Sequence, residues 1–246
     1  MTDSFILVMP VYNEEGCIKK VIDDWMKIVR KVPGSEMVIL NDGSKDNTGK
    51  ILDTLDYKGL TVIHKENGGH GDTVYKGYDY AIKMTNHKYV FQTDSDDQFE
   101  PEDFWKLWER REESKFIIGF REKRNDPTHR LILTRIIRFF NTLFFGVEIK
   151  DANIPYRLMQ KDYLKECMRL VPKTVFAPNI MLSIVAARDG QNLMSIPVTH
   201  RERETGTISI VKWGLIKSCM RGFKELWQFR FGPVSQVDGY KIKISR

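Results

Sequence analysis

The sequence predicts an α/β protein in which helices flank a mostly parallel central sheet, and three observations indicate this fold class. Short apolar runs occur at residues 5–9, 37–40, 60–63 and 88–93. Amphipathic segments with helical spacing separate them, and each run ends in a loop rich in Asn, Asp, Glu or Gly. Strands that alternate with helices in this way form parallel sheets, and ligands bind such sheets at the carboxyl ends of the strands.

Each predicted element follows from a local pattern. The first apolar run meets Pro10, as expected of a short buried strand that ends there. Asn13 is placed to cap a helix over about residues 14–30, whose apolar side chains share one face. The remaining helices are expected around residues 51–55, around residues 74–82 and from Pro101.

Composition restricts the class of protein. A chain of 246 residues with 41% apolar and 29% charged residues is typical of a soluble domain with a sizeable core. Its three cysteines lie far apart without metal spacing, which favours a reducing cytoplasm. We find neither a secretory signal nor a run of about 18 apolar residues. We therefore expect a cytoplasmic protein.

The charge balance is basic, with a formal net charge of +6 and a pI of about 9.1. Such a balance suggests a polyanionic partner, which would be nucleic acid, an anionic membrane surface or a phosphorylated substrate. A merely basic surface is the alternative. The basic residues concentrate at 121–138 and 201–230, whereas the most acidic stretch lies in the first half.

That acidic stretch is FQTDSDDQFEPE, residues 91–102, which directly follows the fourth apolar run. It would also make an acceptable turn and helix cap. Asp94 and Asp96 are two residues apart at a strand end, so both can face one hard cation, with Gln98 nearby. Mg²⁺ or Mn²⁺ is usually held by one or two carboxylates and substrate phosphates, which suits a nucleoside diphosphate. Asp42 follows the second strand and can accept a hydrogen bond from a pyrimidine N3–H or a guanine N1–H.

Four motifs, VMPVYNEE, NDGSKDNT, NGGHGDTVYKGYDYA and DSDDQFEPED, resemble the catalytic domain of glycosyltransferase family 2 in order and spacing over residues 4–120. That family has a GT-A fold. The pattern is most similar to that of the polyprenyl-phosphate (dolichyl-phosphate) mannose and glucose synthases. Asn41 stands where many relatives have an Asp.

The resemblance implies a nucleotide-sugar donor, a UDP- or GDP-sugar, and a Mg²⁺ or Mn²⁺ ion. It implies that the metal is held by Asp94, Asp96 and Gln98. It also implies catalytic roles for Asp94, Asp96, Arg121 and Arg203, with Arg201 as the competing choice for the last. The nucleotide-sugar would be bound by Pro10, Tyr12, Glu14, Asp42, Gly43, Gly71, Asp94, Ser95 and Asp96.

The second half resembles the synthases more loosely and bears on the acceptor. By that resemblance, the acceptor phosphate would be bound by Arg121, Arg130, Thr134 and Arg135. Ile154-Pro155-Tyr156 replaces the usual Ser-Gly-Phe before Arg157. His70 and His200 are weaker candidates for contact with ligand or metal.

The presence or absence of a general base distinguishes a hydroxyl acceptor from a phosphate acceptor. A hydroxyl acceptor needs a group that removes its proton, whereas a lipid phosphate is already an anion. The helix expected to start at Ala177-Pro178-Asn179 carries no carboxylate there, which favours a phosphate. In the alternative, a sugar hydroxyl in polysaccharide synthesis, the base would be Asp151, Asp162 or Asp189.

Two basic amphipathic segments, residues 130–145 and 211–231, indicate contact with a membrane surface, although such faces can simply pack on the domain. We predict a catalytic domain over residues 1–205 and a helical extension over residues 206–246. The protein would be peripheral on the cytoplasmic face of a membrane, with a possible membrane partner subunit.

Two other classes fit less well. A nucleic-acid-binding protein would need a recognisable reading motif, and the crevice is acidic. A sugar nucleotidyltransferase would need a Gly-rich basic loop after the first strand. The sequence therefore predicts an inverting, metal-dependent glycosyltransferase that transfers a sugar to a polyprenyl phosphate.

Overall fold

The structure, a computed structural model, describes residues 3–121, 142–190, 192–201 and 212–231, with side chains in the last helix described from Met220 on. The strands are β1 (Phe5–Val11), β2 (Glu36–Asn41), β3 (Leu60–His64), β4 (Tyr89–Gln92), β5 (Phe116–Arg121), β6 (Arg157–Gln160) and β7 (Leu193–Val198). The helices are α1 (Ile18–Lys31), α2 (Thr48–Asp53), α3 (His70–Met84), α4 (Phe104–Trp108), α5 (Lys161–Leu170), α6 (Pro178–Arg188) and α7 (Lys212–Phe231). A 3₁₀ turn, Pro101–Asp103, precedes α4.

The described strands form one seven-stranded sheet in the order β3-β2-β1-β4-β6-β5-β7. The first four are mutually parallel neighbours, so the predicted parallel sheet is confirmed. Strand β6 runs antiparallel between β4 and β5, and β7 is parallel to β5. The loops after β1, β2, β3 and β4 therefore lie at one edge of the sheet.

Two predicted boundaries were wrong. Strand β1 continues through Pro10 to Val11, although we expected Pro10 to end it. Val11 accepts from the amide of Asp42 on the β2 side, so Pro10 faces β4, whose pairing with β1 stops at Val8. The missing N–H of Pro10 thus removes no ladder bond. Helix α1 begins at Ile18 rather than after Asn13, which has a positive φ of 55° in the preceding loop.

The core lies on both faces of the sheet. Helix α1 buries one face, from Ile18 to Val29, against it. Helix α3 approaches β1 closely at Gly77, where a Cβ would sit 2.4 Å from Cγ1 of Val8. Tyr156 directly precedes β6, and its ring lies 4.9 Å from that of Phe91 and 5.9 Å from that of Trp25 in α1. These contacts hold the strand ends, and hence the loops that follow them, in one rigid frame.

Helix α7 packs on the segment that precedes β6. Leu226 is buried, the ring of Phe229 lies 5.8 Å from that of Phe145, and Nε of Arg230 donates to the carbonyl of Phe144 at 2.6 Å. In the part of the chain that the structure describes, no helix is long and apolar enough to cross a membrane. The division of the chain at residue 205 stays a prediction.

Candidate functional site

The loops after β1 and β2 are joined by hydrogen bonds between side chains and backbone. The amide of Asn13 donates to Oγ of Ser44 at 3.0 Å, and Oδ1 of Asn13 accepts from the amide of Lys45 at 2.8 Å. The amide of Glu14 donates to Oγ1 of Thr48 at 2.8 Å. The predicted residues Tyr12 and Glu14 thus lie in a loop that is fixed to its neighbour, with Glu14 buried.

Asn41 organises the end of β2. Its Oδ1 accepts from the amide and the hydroxyl of Ser44, at 3.1 and 2.6 Å. Its Nδ2 lies 2.9 Å from Nδ1 of His64, whose Nε2 lies 3.0 Å from Oδ1 of Asp53. An amide can donate to the histidine ring and a carboxylate cannot, which is a physical reason for Asn at this position.

Asp42 is buried and anchors the glycine-rich loop. Its carboxylate accepts from the amides of Gly68 and Gly69, at 2.8 and 2.9 Å, and from Nζ of Lys65. Burial lowers the pKa of Lys65, but hydrogen bonds to Asp42 and Asp72 outweigh it, and the pKa is raised. If Asp42 also binds the nucleobase, as predicted, its carboxylate would accept a fourth hydrogen bond besides those from Lys65, Gly68 and Gly69.

Two predicted glycines allow close approach of the backbone. Gly43 has a positive φ of 65°, and a Cβ there would lie 2.9 Å from the amide nitrogen of Asn67. Gly71 lies in the first turn of α3, where a Cβ would lie 2.3 Å from the carbonyl oxygen of Phe176. A side chain at either position would collide with the backbone of a neighbouring segment, so glycine is required there.

The three aspartates after β4 point in different directions. Oδ1 of Asp94 is buried and has no hydrogen-bond partner, while Nε2 of His70 lies 4.0 Å away. Oδ1 of Asp96 accepts from the amide of Gln98 at 3.3 Å. Asp97, with a positive φ of 58°, turns away and pairs with Lys20 at 2.6 Å. Asp97 is thus held away by Lys20, whereas Asp96 lies close enough to Asp94 for the two charges to interact.

Burial raises the pKa of Asp94 to about 6. His70 opposes this rise, the carboxylate of Asp96 adds to it, and Arg121 and Arg157 oppose it. An unpartnered buried carboxylate oxygen beside a second carboxylate suits a divalent cation, so the residues fit the predicted metal. No group of three or more His, Cys, Asp or Glu side chains that could hold a metal ion occurs among the described residues.

Gln98 and its neighbours bind the segment that follows β7. The amide of Arg201 donates to the carbonyl of Gln98 at 2.7 Å, and Nε2 of Gln98 donates to the carbonyl of Arg201 at 3.2 Å. The guanidinium of Arg201 pairs with Glu100. Phe99 and His200 form a bridge with rings 5.2 Å apart. The amide nitrogen of Gln98 is thus held by this segment, and the predicted support of the metal by Gln98 stays a prediction.

Arg121 lies at the end of β5, about one-fifth exposed, with Nε 3.4 Å from Oδ2 of the buried Asp151. Its guanidinium carbon lies 5.8 Å from the centroid of the Phe99 ring. The predicted residues Arg130, Thr134, Arg135 and Arg203 lie outside the described residues. Their roles stay predictions. Ser95 is buried, and its carbonyl accepts from the thiol of Cys17 at 3.5 Å.

Behind the aspartates lies a buried polar network. Nδ2 of Asn179, at the start of α6, donates to Oε1 of Gln92 at 3.0 Å, and the hydroxyl of Tyr78 contacts both residues. The guanidinium of Arg157 is completely buried. It donates to the carbonyls of Ala152, Ile154 and Asn179 and to Oγ of Ser183. Burial lowers the pKa of Arg157.

Sequence reasoning gave no role to Lys65 at the site. Lys65 had a usable signal, because it stands between a strand end and the glycine loop, opposite Asp42 across neighbouring strands. Arg157 was noted only as the end of a segment that resembles the synthases, because nothing in its neighbourhood reveals that β6 inserts between β4 and β5.

The same arrangement of elements occurs in a solved glycosyltransferase. The structure of glucosyl-3-phosphoglycerate synthase from Mycobacterium tuberculosis, in complex with Mn²⁺, UDP and phosphoglyceric acid, superimposes with a TM-score of 0.66. The superposition covers 95% of this chain and 80% of that chain at 16% sequence identity. The fold is therefore the GT-A fold of glycosyltransferases, as predicted.

The chain belongs to glycosyltransferase family 2, whose family model, Glycosyl transferase family 2, matches residues 6–168. The polyprenol monophosphomannose synthase of Mycolicibacterium smegmatis is 24% identical over 216 residues, which cover 83% of this chain and 80% of that protein. The undecaprenyl-phosphate mannosyltransferase of Micrococcus luteus is 22% identical over 231 residues, which cover 85% and 93%. The protein is a glycosyltransferase enzyme.

Proposed function

We propose that this enzyme transfers a sugar from a nucleotide-diphospho-sugar to the phosphate of a polyprenyl phosphate, with inversion at the anomeric carbon. The supporting observation is the start of α6, where Asn179 stands buried in a polar network instead of a carboxylate facing the crevice. The relatives named for polyprenol and undecaprenyl phosphate transfer support the same acceptor.

The carboxylates considered as bases for a hydroxyl acceptor are poorly suited to that role. Asp151 is buried, and its carboxylate faces the guanidinium of Arg121 instead of open space. Asp189 accepts from the hydroxyl of Tyr163 near the start of β7, and Asp162 follows the end of antiparallel β6. Both lie at the edge of the sheet opposite the crevice. A phosphate acceptor requires none of them.

Asp94 and Asp96 would hold the divalent ion, either Mg²⁺ or Mn²⁺. When bound, that ion would neutralise charge that develops on the departing nucleoside diphosphate. The chain itself supplies the rest. An oxygen of the acceptor phosphate attacks the anomeric carbon as the bond from that carbon to the diphosphate oxygen breaks. Arg121, at the end of β5, would help to orient the acceptor phosphate.

A membrane surface is the proposed source of the lipid acceptor. On α7, Met220, Phe223, Trp227 and Phe231 form one stripe, and each is at least 40% exposed. Leu143 from the packed neighbouring segment adds to it. Arg221, Lys224 and Arg230 lie on the same helix, so the face has the aromatic and basic character of an interfacial helix. The same cations would repel a second copy docked face to face.

The proposal is tested with purified enzyme, Mn²⁺ or Mg²⁺, a panel of UDP- and GDP-sugars, and a short-chain polyprenyl phosphate soluble without vesicles. Release of nucleoside diphosphate should require both the metal and the lipid phosphate, and the product should be an acid-labile lipid-phosphate sugar. Its anomeric configuration, read by NMR, should be opposite to that of the donor.

The matched control is the polyprenol alcohol of the same chain length, which carries a hydroxyl in place of the phosphate. Equal turnover of the alcohol would contradict a phosphate acceptor. Donor binding without turnover of either lipid would favour a sugar hydroxyl in polysaccharide synthesis, and lipid-linked sugars would then be tested as acceptors.

A further inference from the structure

The segment between α5 and α6 contacts parts of the molecule that are far apart in sequence. The amide of Phe176 donates to Oε2 of Glu225 in α7 at 2.8 Å. The carbonyl oxygens of Val175 and Phe176 lie against Gly71, where a Cβ would approach them to 2.7 and 2.3 Å. The segment therefore lies between the C-terminal helix and the first turn of α3.

Glu225 is a fixed acceptor rather than a solvated surface charge. Its side chain is only 15% exposed, and its Oε1 accepts from Nε of Arg221 at 3.0 Å. The guanidinium carbon of that arginine also lies 5.5 Å from the centroid of the Phe176 ring. The next residue in α7, Leu226, is buried. Glu225 therefore cannot move away from the segment without disturbing the packing of α7.

The same segment borders the metal-binding side of the crevice. His70 immediately precedes Gly71, and its Nε2 lies 4.0 Å from Oδ1 of Asp94. Three residues after Phe176, Asn179 contacts Gln92, the last residue of β4, two residues before Asp94. A shift of residues 175–179 would therefore change the contacts with Gly71 at the start of α3 and with Gln92 before the loop that carries the aspartates.

The geometry points to Glu225 as a positioning residue for the donor side of the crevice, acting through the N–H of Phe176. Its functional consequence rests on the proposed function, because the affected ligand is the nucleotide-sugar. Loss of the acceptor leaves the backbone of residues 175–176 without its tether to α7. The first turn of α3, which ends the glycine-rich loop, then loses its support. Because this bond lies outside the nucleotide site, only part of its free energy should reach the bound nucleotide, and we expect about a three- to tenfold change in binding.

The test compares Glu225→Ala, Glu225→Gln and Gln228→Ala. Isothermal titration with UDP and with GDP, each with Mn²⁺, gives the dissociation constant of each protein without lipid or turnover. Glu225→Ala should weaken binding of the accepted nucleotide about three- to tenfold. Glu225→Gln keeps an oxygen for the Phe176 amide and should stay within about twofold. Gln228→Ala changes an exposed residue three positions later on the same helix and should not differ from wild type.

Hydrogen exchange, read by mass spectrometry, gives a second measurement that needs no ligand. Glu225→Ala should exchange faster at residues 172–179 and also at residues 69–74, whereas Gln228→Ala should match wild type at both. Faster exchange at residues 172–179 alone would mean that the tether does not reach α3, and would overturn the proposal.

Three further results would also overturn it: an unchanged dissociation constant in folded Glu225→Ala, equal weakening by Gln and Ala, or failure of Glu225→Ala to fold, which would make the residue a stabilising one only. Wild-type protein that binds neither nucleotide with Mn²⁺ would instead count against the proposed function. The exchange experiment would then still decide the role of Glu225 in holding the loop.

Discussion

The donor side and the acceptor side of the crevice are built from different kinds of contact. On the donor side, loops that follow consecutive parallel strands are joined by short side-chain-to-backbone bonds, such as those of Asn13, Asn41 and Asp42. On the acceptor side, segments about 30 to 100 residues apart meet through one or a few contacts. Arg121 pairs with Asp151, and Gln98 bonds to Arg201.

We therefore expect substitutions on the donor side to act mainly on ligand binding and substitutions on the acceptor side to act mainly on stability. A donor-side carboxylate lies in a frame that several bonds between neighbouring loops support, so its loss should act mainly on ligand binding. An acceptor-side residue such as Arg157 holds distant segments together, so its loss removes long-range contacts from the fold. The expected effects below test that division, from the largest to the smallest.

Asp96→Asn should lower turnover at least about 10³-fold, because one carboxylate ligand of the proposed metal is lost where charge develops on the leaving group. Stability should be unchanged or slightly higher, since a like-charge neighbour of Asp94 is removed. Steady-state nucleoside diphosphate release and thermal unfolding would measure the two quantities. Asp97→Asn is the matched control, because Asp97 pairs with Lys20. Equal loss in both variants would refute the assignment of the metal pair.

Arg157→Met should lower the free energy of unfolding by about 3–5 kcal/mol, because carbonyls of Ala152, Ile154 and Asn179 lose buried donors. Urea denaturation would measure it. Arg110→Met, in which an exposed ion pair with Glu113 in the turn after α4 is lost, should cost less than about 1 kcal/mol. If the two variants were equally stable, the acceptor side would not depend on this long-range hub.

Asp42→Asn should raise KM for the donor about tenfold with a smaller change in kcat. An amide offers one acceptor oxygen instead of two, so the amides of Gly68 and Gly69 and the Lys65 ammonium compete for it. Asp72→Asn also loses a contact with Lys65 but leaves the Asp42 carboxylate intact, and should change KM less than about threefold. A similar KM in both variants would mean that the loop does not depend on Asp42.

Trp227→Ser should weaken binding to vesicles that contain anionic lipid about fivefold, because one exposed ring of the α7 stripe is removed. Co-sedimentation would measure the partition coefficient. Gln228→Ser alters the next residue and should stay within about twofold. Turnover of a soluble short-chain acceptor should be unchanged in both. Two results would contradict membrane binding by the α7 stripe. One is vesicle binding that is unchanged in Trp227→Ser, and the other is a wild-type dimer that dissociates in this variant.

Much of the donor side could be predicted from the sequence, because each loop follows directly from a strand whose apolar run is visible. The parallel order of β1 to β4 and the placement of Asp42, Asp94 and Asp96 at one edge follow from the alternation of elements. The same reasoning could not predict that Gln98 turns to Arg201, because their separation in sequence hides the contact.

The fold class, the resemblance to the family and the carboxylates at the strand ends could all be inferred from the sequence, because they depend on local periodicity and short spacings. Only the tertiary structure decided that β6 inserts antiparallel beside β4, and that Asp97 faces Lys20 instead of the crevice. It also decided that Arg157 is buried and that Glu225 reaches the segment against Gly71. These outcomes depend on which distant surfaces pack together to bury apolar area and satisfy buried polar groups, and no local pattern encodes that choice.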